Sequence, residues 1–385
     1  MPVQTPESAE EVCNLLRQTA SVRHSVRVVG NDSKSNMAGP VEAAELSVST
    51  SGLRRVLDYE PRDLTISVEA GYLFADLQKL LAQNGQMIAL DPPFSERATV
   101  GGLVATNTSG PMRRAYGTAR DVVIGMSFAT LDGKYVKSGG MVVKNVAGLD
   151  MAKLMIGSFG TLAVITSVNF RIHSLPERTR TFVFTFSQLE DALGKRNQIL
   201  SSNLQPVAVD LLSPSMAVRL SHKGFVLAIR AAGSANVLQR YELDLGGEVL
   251  RDRDDAGFWK IVQEFPSDFI NRQRDGVILR VSTTLTDMNQ LLKLTSGSFI
   301  SRAANGVTYL YFASWSGAAR IWKSLKQHAW PCVVEFAPQS IREQEMLWHE
   351  PNAEAQQASF VMMKEIKHMF DPNGLLNRNR LYGRI

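Results

Sequence analysis

A glycine-rich stretch from Thr99 to Asp121 places the strongest constraint on how this chain can fold. Its sequence, TVGGLVATNTSGPMRRAYGTARD, is rich in glycine and small hydroxyl residues and almost free of large apolar side chains, so it is not ordinary core. Glycine reaches backbone dihedrals that other residues avoid and lets a ligand come close to the main chain. Backbone N–H groups at turns and helix starts bind anions such as pyrophosphate. The stretch therefore indicates a phosphate-bearing ligand, and the alternative is a plain glycine-rich turn between strands.

Two other polar, glycine-bearing turns flank predicted strands in the same half of the chain. Residues 30–36, GNDSKSN, follow a short valine-rich strand, and residues 157–160, GSFG, precede a strand dense in valine, isoleucine and threonine. Strand-like alternation and amphipathic helical segments between the turns favour a mixed arrangement. We therefore predict an α+β domain over residues 1–175 whose three turns converge on one extended ligand.

The second half of the chain follows another pattern. Over residues 176–340, predicted strands and helices succeed each other in an order typical of ferredoxin-like antiparallel sheets with helices on one face. Residues 341–385 contain a helical segment and an arginine-rich tail. The tail is equally compatible with a docking segment and with a solvated terminus. The predicted divisions are thus residues 1–175, 176–340 and 341–385.

The charge of the chain is spread rather than clustered. A net charge of +5 arises from 42 basic residues scattered among 37 acidic ones. Nucleic-acid binding would require a basic stripe with interleaved aromatic residues, and no window has one. There is no run of eighteen apolar residues and no export-signal pattern at the N-terminus. We expect a cytoplasmic protein that binds no nucleic acid and does not insert into a membrane. Any association with the inner membrane would be made through partner proteins.

Several motifs of known chemistry are absent from the sequence. Neither G-x-G-x-x-G nor G-x-x-x-x-G-K-[ST] occurs, which argues against a nicotinamide-binding Rossmann unit and a nucleotide-hydrolase phosphate loop. No G-x-S-x-G elbow is present for a serine hydrolase. The two cysteines and six histidines lack the spacing of metal ligands, so we expect no metal site.

Six segments resemble, in order and spacing, the FAD-binding domain of the vanillyl-alcohol oxidase and p-cresol methylhydroxylase (PCMH-type) superfamily. They are GNDSK at 30–34, VEAG at 68–71, DPP at 91–93, TVGG at 99–102, KNVAGLD at 144–150 and GSFGTLAVIT at 157–166. The segment FDPNGLLN at 370–377 is similar to the superfamily's C-terminal motif. Within the superfamily, the chain is most similar to the smaller FAD-binding subunits of bacterial glycolate oxidases. The resemblance implies a two-subdomain FAD-binding domain, a smaller ferredoxin-like antiparallel cap and a tail that returns to the FAD domain.

The resemblance also implies a non-covalent FAD and a place for each of its parts. The turn at 30–34 would hold the pyrophosphate, the stretch after residue 99 would line the flavin and ribityl chain, and the strand after residue 160 would bring main-chain amides to the cofactor. The implied cofactor-binding residues are Gly30, Asn31, Asp32, Ser33, Lys34, Pro92, Gly101, Gly102, Thr106, Ser109, Gly110, Tyr116, Gly117, Gly160, Val164 and Ile165. The first turn contains no histidine, so we expect no covalent histidyl–flavin bond there.

Three positions depart from the superfamily pattern. Asp32 stands where glycine is usual; aspartate tolerates a left-handed backbone, but its charge repels two phosphates unless it points outward or pairs with Lys34. Leu149 and Phe159 stand where relatives often have a tyrosine and an acid. We therefore expect the edge of the flavin site to differ locally from that of the relatives.

The sequence offers no catalytic residue. The larger catalytic relatives in the 2-hydroxy-acid branch carry an H-x-G-D-G-N-x-H metal motif in the cap, and this chain lacks it. Arg113 and Arg114 are candidates to bind a substrate carboxylate, because a guanidinium matches a carboxylate in geometry and charge. The alternative is that both are solvated loop arginines.

The resemblance implies an FAD-dependent oxidoreductase subunit that acts on CH–OH groups within a complex that oxidises glycolate or a similar 2-hydroxy acid. The implied partners are a larger catalytic flavoprotein subunit and an iron–sulfur subunit, to which electrons pass. Two alternatives stay open. One is a self-sufficient FAD-dependent dehydrogenase of a small anionic alcohol or acid, and the other is a cofactor-poor scaffold subunit.

Overall fold

The computed structural model describes residues 2–142, 149–295, 297–349 and 353–385, and these form two compact units. The first unit comprises the residues up to 109, residues 117–175 and residues 354–385. The second comprises residues 110–116 and 176–353. Strands and helices are mixed in both, which confirms the α+β class.

The elements up to residue 175 are short and closely spaced. In chain order they are β1 (Val3–Gln4), α1 (Ala9–Ser21), β2 (Val26–Val29), β3 (Leu46–Ser49), β4 (Val56–Glu60), β5 (Thr65–Glu69), α2 (Phe74–Ala82), β6 (Gln86–Met87), α3 (Val100–Thr106), α4 (Arg113–Tyr116), α5 (Ala119–Val122), β7 (Val123–Ala129), β8 (Tyr135–Gly139), α6 (Met151–Met155), β9 (Val164–Arg171) and β10 (His173–Ser174). Of these, α4 belongs to the second unit.

The remaining elements lie between residues 178 and 370. They are β11 (Arg178–Phe186), α7 (Leu189–Leu200), β12 (Ala208–Leu212), α8 (Pro214–Ala217), β13 (Phe225–Gly233), α9 (Ala235–Leu245), β14 (Glu248–Arg251), α10 (Asp252–Arg272), β15 (Val277–Ser282), α11 (Met288–Leu294), β16 (Ser298–Arg302), β17 (Val307–Phe312), α12 (Trp315–Leu325), β18 (Cys332–Phe336), α13 (Gln339–Gln344), β19 (Trp348–His349) and α14 (Ala353–Phe370). Single 3₁₀ turns lie at Thr50–Gly52 and Val218–Leu220.

The first unit contains two main sheets. One has three parallel strands in the order β1-β3-β2, and the other has five antiparallel strands in the order β4-β5-β9-β7-β8. Every residue of β5, TISVE, is buried, and its β-branched residues suit a strand covered on both faces. The five-stranded sheet and the helices beside it share a core that includes Phe74, Phe128 and Phe170, each no more than 2% exposed.

A smaller core joins the three-stranded sheet to the C-terminal tail. Val12 and Leu16 of α1 pack there with Val26 of β2, and Leu375 and Leu376 of the tail complete the cluster. These apolar residues are almost wholly removed from solvent, so their burial favours the docked tail. The tail is therefore part of the first unit, where the superfamily resemblance predicts it to be, and it is not a solvated terminus.

Hydrogen bonds fix the tail in register beside β2. The Asp371 carboxylate accepts hydrogen bonds from the N–H groups of Leu375 and Leu376 at 2.8 and 2.7 Å, and Lys367 Nζ lies 2.5 Å from the same carboxylate. Val26 N donates to Leu375 O at 2.8 Å, and Asn377 N donates to Val26 O at 2.9 Å. The segment after α14 thus runs alongside β2 like an additional strand.

The second unit is built from two ferredoxin-like halves. The first half runs β11, α7, β12, β13, α9, β14 and has the spatial order β14-β11-β13-β12. The second half runs β15, α11, β16, β17, α12, β18 and has the order β16-β17-β15-β18. Antiparallel pairing of β12 with β16 joins them into one nine-stranded sheet that ends at β19. The prediction of a ferredoxin-like antiparallel domain is confirmed.

Candidate cofactor site

One cavity in the first unit brings the predicted glycine-rich turns together. It encloses about 1020 Å³ when the space at its open mouth is included. Its walls are residues 25–34, 40–44, Thr50, Thr99, Gly101, Gly102, Ala105, Thr106, Phe159, Gly160, Ala163, Ile165, Leu375, Asn377, Arg378 and Arg380. Segments separated by more than 300 residues of sequence thus face a single space.

Many of the residues assigned to FAD from the sequence line this cavity. They are Gly30, Asn31, Asp32, Ser33, Lys34, Gly101, Gly102, Thr106, Gly160 and Ile165. Their contact with the cofactor stays a prediction, but the structure places them on one surface.

Other residues assigned from the sequence are not among those that line this cavity. Pro92 and Val164 are buried, and Val164 belongs to the smaller core of the first unit. Ser109 and Gly117 are in the first unit but do not line the cavity. Gly110, Arg113, Arg114 and Tyr116 belong to the second unit. Residues 144–148, the core of the KNVAGLD segment, lie outside the described residues.

The turn after β2 has the geometry of an anion-binding nest. Asp32 has a φ of +49°, which is the left-handed conformation expected for this position. The backbone N–H groups of Asn31, Asp32 and Ser33 have no hydrogen-bond partner within the part of the chain that the structure describes. Successive N–H groups beside a left-handed residue form a concavity that attracts anions. The donor set therefore fits a pyrophosphate group.

The turn is seated against the start of α3. Thr99 is the N-cap of that helix, and its side chain accepts a hydrogen bond from Gly102 N at 3.2 Å. A Cβ at Gly30 would lie only 2.2 Å from Thr99 Oγ1, so only glycine allows this approach. At Gly101 a Cβ would lie 2.8 Å from the Cβ of Ala70. Both glycines therefore serve close packing of the cavity wall, and Gly30 brings two of the predicted turns into contact.

Asp32 pairs with Arg27, and not with Lys34 as one of the two sequence-based expectations had it. Arg27 Nη2 donates to both carboxylate oxygens, at 2.8 and 2.7 Å. The partner was missed because Arg27 lies five residues earlier, within β2, outside any recognisable motif. The expectation of a left-handed aspartate was right, and the source of its neutralising charge was wrong.

The C-terminal tail lines part of the cavity and forms hydrogen bonds to the neighbouring turns. The sequence motifs indicated these contacts only in part. Asn377 accepts a hydrogen bond from Val28 N at 2.7 Å and donates to Phe159 O at 2.8 Å, so it bridges β2 and the GSFG turn. Arg380 donates to the carbonyls of Lys34 and Gly39 at 2.9 and 2.6 Å, and to that of Met37. These carbonyls belong to the turn and to the segment that follows it.

Cations exceed anions among the side chains that line the cavity. The lining includes four cationic residues, Arg27, Lys34, Arg378 and Arg380, and two acidic ones, Asp32 and Glu42. The excess of positive charge suits a ligand with two phosphates. Of the described lining residues, none is a histidine, cysteine or tyrosine.

A second polar cluster lies on the sheet of the second unit. Asp210 of β12 is opposite Arg302 of β16 and forms an ion pair with it, and Arg280 Nε lies 2.9 Å from Glu335 Oε2. The Arg302 guanidinium stands 5.7 Å from the ring centroid of Tyr309. Burial raises the pKa of Asp210 to about 6, although Arg302 acts in the opposite direction.

The two candidate anion-binding arginines face different surroundings. Burial raises the pKa of Tyr309, as Glu335 also does, whereas Arg280, Arg302 and Arg113 act to lower it, so Arg113 is electrostatically coupled to the cluster. Burial raises the pKa of Tyr241, and Arg114 acts to lower it. The Nε atom of Arg114 is buried without a hydrogen-bond partner among the described residues. Both lie in α4, which packs against β12, so neither is a solvated loop arginine.

Membrane-spanning helices and metal-binding clusters are both absent from the residues that the structure describes. No helix there is long and apolar enough to span a membrane. No group of three or more histidine, cysteine, aspartate or glutamate side chains in the same residues is arranged to hold a metal ion.

Comparison with known proteins identifies the family. A family model described as an FAD binding domain matches residues 2–139. The glycolate oxidase subunit GlcE of Escherichia coli K12 is 30% identical over 268 residues, which cover 69% of this chain and 71% of that protein. The chain belongs to the PCMH-type family of FAD-binding oxidoreductases. It is thus an FAD-binding oxidoreductase of the glycolate oxidase and lactate dehydrogenase group, and FAD is its cofactor.

Longer relatives of this family match over part of their length. The glycolate oxidase subunit GlcD of Bacillus subtilis is 27% identical over 220 residues, 56% of this chain and 46% of that protein. The mitochondrial cytochrome-linked D-lactate dehydrogenase of Arabidopsis thaliana is 31% identical over 209 residues, 54% of this chain and 36% of that protein. The chain thus spans less than half the length of these two relatives.

Solved structures share the fold of this family member. A 4-ethylphenol oxidase from Gulosibacter chungangensis, solved with isoeugenol, has a TM-score of 0.75 at 14% identity, and the match covers 98% of this chain and 88% of that one. An alkyldihydroxyacetonephosphate synthase has a TM-score of 0.71 at 17% identity, over 98% and 75% of the two chains. At these identities the likeness concerns the fold alone.

Proposed function

We propose that the chain is the FAD-carrying subunit of a multi-subunit 2-hydroxy-acid dehydrogenase of the glycolate oxidase type. The observation that carries the proposal is the match to most of a protein named as a glycolate oxidase subunit. The chemistry that bound FAD supplies is hydride acceptance: the acid loses a hydride from its α-carbon and a proton from its hydroxyl group, and a 2-oxo acid results.

The cavity of the first unit is the proposed FAD site. The N–H groups of residues 31–33 would receive the pyrophosphate, while Gly101 and Gly160 allow the close packing that forms the cavity wall. The cationic side chains of the lining would offset the charge of the phosphates. This assignment is supported by the donor set and by the charge of the lining.

The proposed partners are a larger catalytic flavoprotein subunit and an iron–sulfur subunit. In this scheme the electrons pass from the cofactor of this chain, or through it, to those subunits in the cytoplasm, and contact with the inner membrane is made by the partners. The lack of an H-x-G-D-G-N-x-H motif in the sequence supports a division in which another subunit carries the metal-assisted oxidation.

Isolation from the native host tests the proposed complex. The chain would carry a small affinity tag at its chromosomal locus, and the complex would be purified under mild conditions and analysed by mass spectrometry. We expect a second flavoprotein and an iron–sulfur protein at near-stoichiometric yield, with glycolate-dependent dye reduction in the same fraction. Recovery of the chain alone, with the whole 2-hydroxy-acid dehydrogenase activity, would contradict the proposal.

A second candidate is a dehydrogenase that needs no partner for substrate oxidation. The polar cluster around Arg302, Tyr309 and Arg113 favours it, because arginine and tyrosine donors suit a small carboxylate. Anaerobic mixing of the isolated flavoprotein with glycolate or D-lactate decides between the two candidates. Bleaching of the flavin that is lost in an Arg302→Gln variant supports self-sufficiency, and no bleaching with either acid supports the partner-dependent scheme.

The alternative of a cofactor-poor scaffold rested on the charge of Asp32. Its pairing with Arg27 weakens that motive, because the carboxylate is held by a guanidinium and does not stand unpaired in the turn. The family match to an FAD binding domain argues in the same direction.

A further inference from the structure

Asp32 introduces a negative charge into the turn that lines the cofactor cavity. Its φ of +49° is a conformation in which glycine or aspartate is tolerated, so the backbone of the turn survives the replacement of glycine. The charge is the remaining difficulty. A carboxylate in this turn repels an incoming pyrophosphate and, if unrestrained, competes with it for the same N–H groups.

Arg27 removes both difficulties by its position. It lies in β2, between β3 and the docked tail, so its backbone is fixed on both sides. A single guanidinium nitrogen, Nη2, holds both oxygens of Asp32 at 2.7–2.8 Å. A carboxylate chelated in this way has its preferred acceptor sites occupied by Arg27 and not by the N–H groups of the turn.

The pair is only partly shielded from water, and this decides what it can be for. The side chains are 22% and 48% exposed for Arg27 and Asp32. Ion pairs with such exposure contribute little to folding stability. If the pair served only to stabilise the fold, its removal would therefore change the free energy of unfolding very little. If it sets the charge at the cavity wall, its removal would change the affinity for the ligand.

We infer that Arg27 is a positioning residue for FAD binding: it chelates and neutralises Asp32, and thereby leaves the turn at 30–34 open to the cofactor's pyrophosphate. Arg27 also lines the cavity, so its guanidinium adds a direct attraction to the phosphates. This role rests on the proposed assignment of the cavity to FAD and is independent of the substrate and the partners.

A double-mutant cycle separates the two effects of Arg27. The variants are Arg27→Gln, Asp32→Gly and the double variant, each stripped of flavin and titrated with FAD by fluorescence quenching or calorimetry. We expect Arg27→Gln to raise the Kd for FAD about tenfold, because the unpaired carboxylate of Asp32 then repels the two phosphates, and solvent screens this repulsion only in part. In the Asp32→Gly background, the same change should raise the Kd no more than about threefold, since only the direct attraction is lost.

Ionic strength and stability provide further readouts. The effect of Arg27→Gln should shrink in high salt, as screening weakens the repulsion. Thermal unfolding of the flavin-free protein should change little, since an exposed pair contributes little to the fold. As a matched control, Lys79→Gln removes the lysine of the exposed Lys79–Asp76 pair on α2, at 3.0 Å, and should leave the Kd unchanged.

The outcomes are distinct. A loss of about tenfold that falls to about threefold or less in the Asp32→Gly background supports the inference. Equal losses in both backgrounds, or no loss, overturn it. If Arg27→Gln fails to fold, Arg27→Met replaces it: the methionine removes the charge and the hydrogen bonds, so a raised Kd that falls back in the Asp32→Gly background supports the inference, and a Kd that is unchanged, or raised equally in both backgrounds, overturns it.

Discussion

Gly160 shows how a single position without a side chain ties the cavity wall to the tail. Its φ is +69°, and a Cβ built there would lie 2.7 Å from Nδ2 of Asn377. That amide holds Phe159 O, and the same side chain accepts from Val28 N. A methyl group at this position would therefore strain the turn and also displace the bridge between β2 and the GSFG turn.

Gly160→Ala should lower both stability and FAD affinity. The left-handed φ costs about 1–2 kcal/mol for a residue with a Cβ, and displacement of Asn377 disturbs the cavity wall. Gly374→Ala is the matched control, because Gly374 has a φ of +61° and a Cβ added there would meet nothing within 4 Å. We expect a loss of unfolding free energy in both variants by urea titration, larger in Gly160→Ala because the Asn377 bridge is disturbed as well, with a weaker FAD complex only in Gly160→Ala. Equal FAD affinity in the two variants would show that Asn377 does not shape the cavity.

Asp210 should give the second unit a characteristic pH dependence. Burial raises the folded-state pKa of this carboxyl to about 6, above its value in the unfolded chain, so the folded state binds more protons. The stabilising contribution is therefore complete below the unfolded-state pKa and is lost as pH rises through about 6. Asp210→Asn mimics the protonated form and should remove this dependence.

Urea unfolding of both proteins at several pH values checks this prediction. The stability of the wild type relative to Asp210→Asn should fall by an amount on the order of 2 kcal/mol between pH 4 and pH 7. A difference that stays flat over this range, or one that grows in favour of the wild type as pH rises, contradicts it.

At the scale of elements, the C-terminal tail holds the turn at the cofactor cavity in place. The Arg380 guanidinium binds the carbonyls of Lys34, Met37 and Gly39, which lie 346 to 341 residues away in sequence. When these carbonyl oxygens are occupied on the tail side, the segment after the turn is fixed, and the N–H groups at 31–33 are left for a ligand. The tail also supplies Leu375, Asn377 and Arg378 to the cavity wall.

Arg380→Ala should weaken FAD binding more than it destabilises the fold. Loss of the guanidinium leaves the three carbonyls without their charged donor, at a cost of about 1–3 kcal/mol. Because these carbonyls then no longer hold the turn, we expect the turn to become more mobile and the Kd for FAD to rise at least about tenfold. Hydrogen exchange at residues 31–39 should accelerate. Arg384→Ala is the control, because Arg384 lies over the Phe360 ring at 4.5 Å on the same tail and should affect neither. An unchanged Kd in Arg380→Ala would limit the tail to a packing role.

At the scale of the whole molecule, the sequence predicted best where local patterns and their order reinforce each other. The turns at 30–34 and 157–160 and the start of α3 each carry a recognisable motif, and the structure places them at one cavity. The two ferredoxin-like halves were also predictable, because their strands and helices follow a known order. Repetition of such patterns along the chain is visible without knowledge of distant contacts.

Contacts between residues far apart in the sequence were not predictable in this way. Arg27 and Arg380 act on the turn through side-chain geometry, and nothing in their neighbouring sequence marks them. Gly110 and Tyr116 continue the glycine-rich stretch and are predicted to bind FAD, but their sequence did not reveal that residues 110–116 belong to the second unit, where α4 packs against β12. A short segment carries too little pattern to reveal which unit it joins.

The flavin content of the purified chain tests the assignment of the cofactor site most directly. We predict visible flavin absorption and close to one FAD per chain, released in full when the protein is denatured with acid, as expected for a non-covalent cofactor. The Arg27→Gln variant should lose this FAD more readily during dialysis than the Lys79→Gln control does. A chain that stays colourless after incubation and refolding with excess FAD would contradict the central claim that the cavity of the first unit is an FAD site.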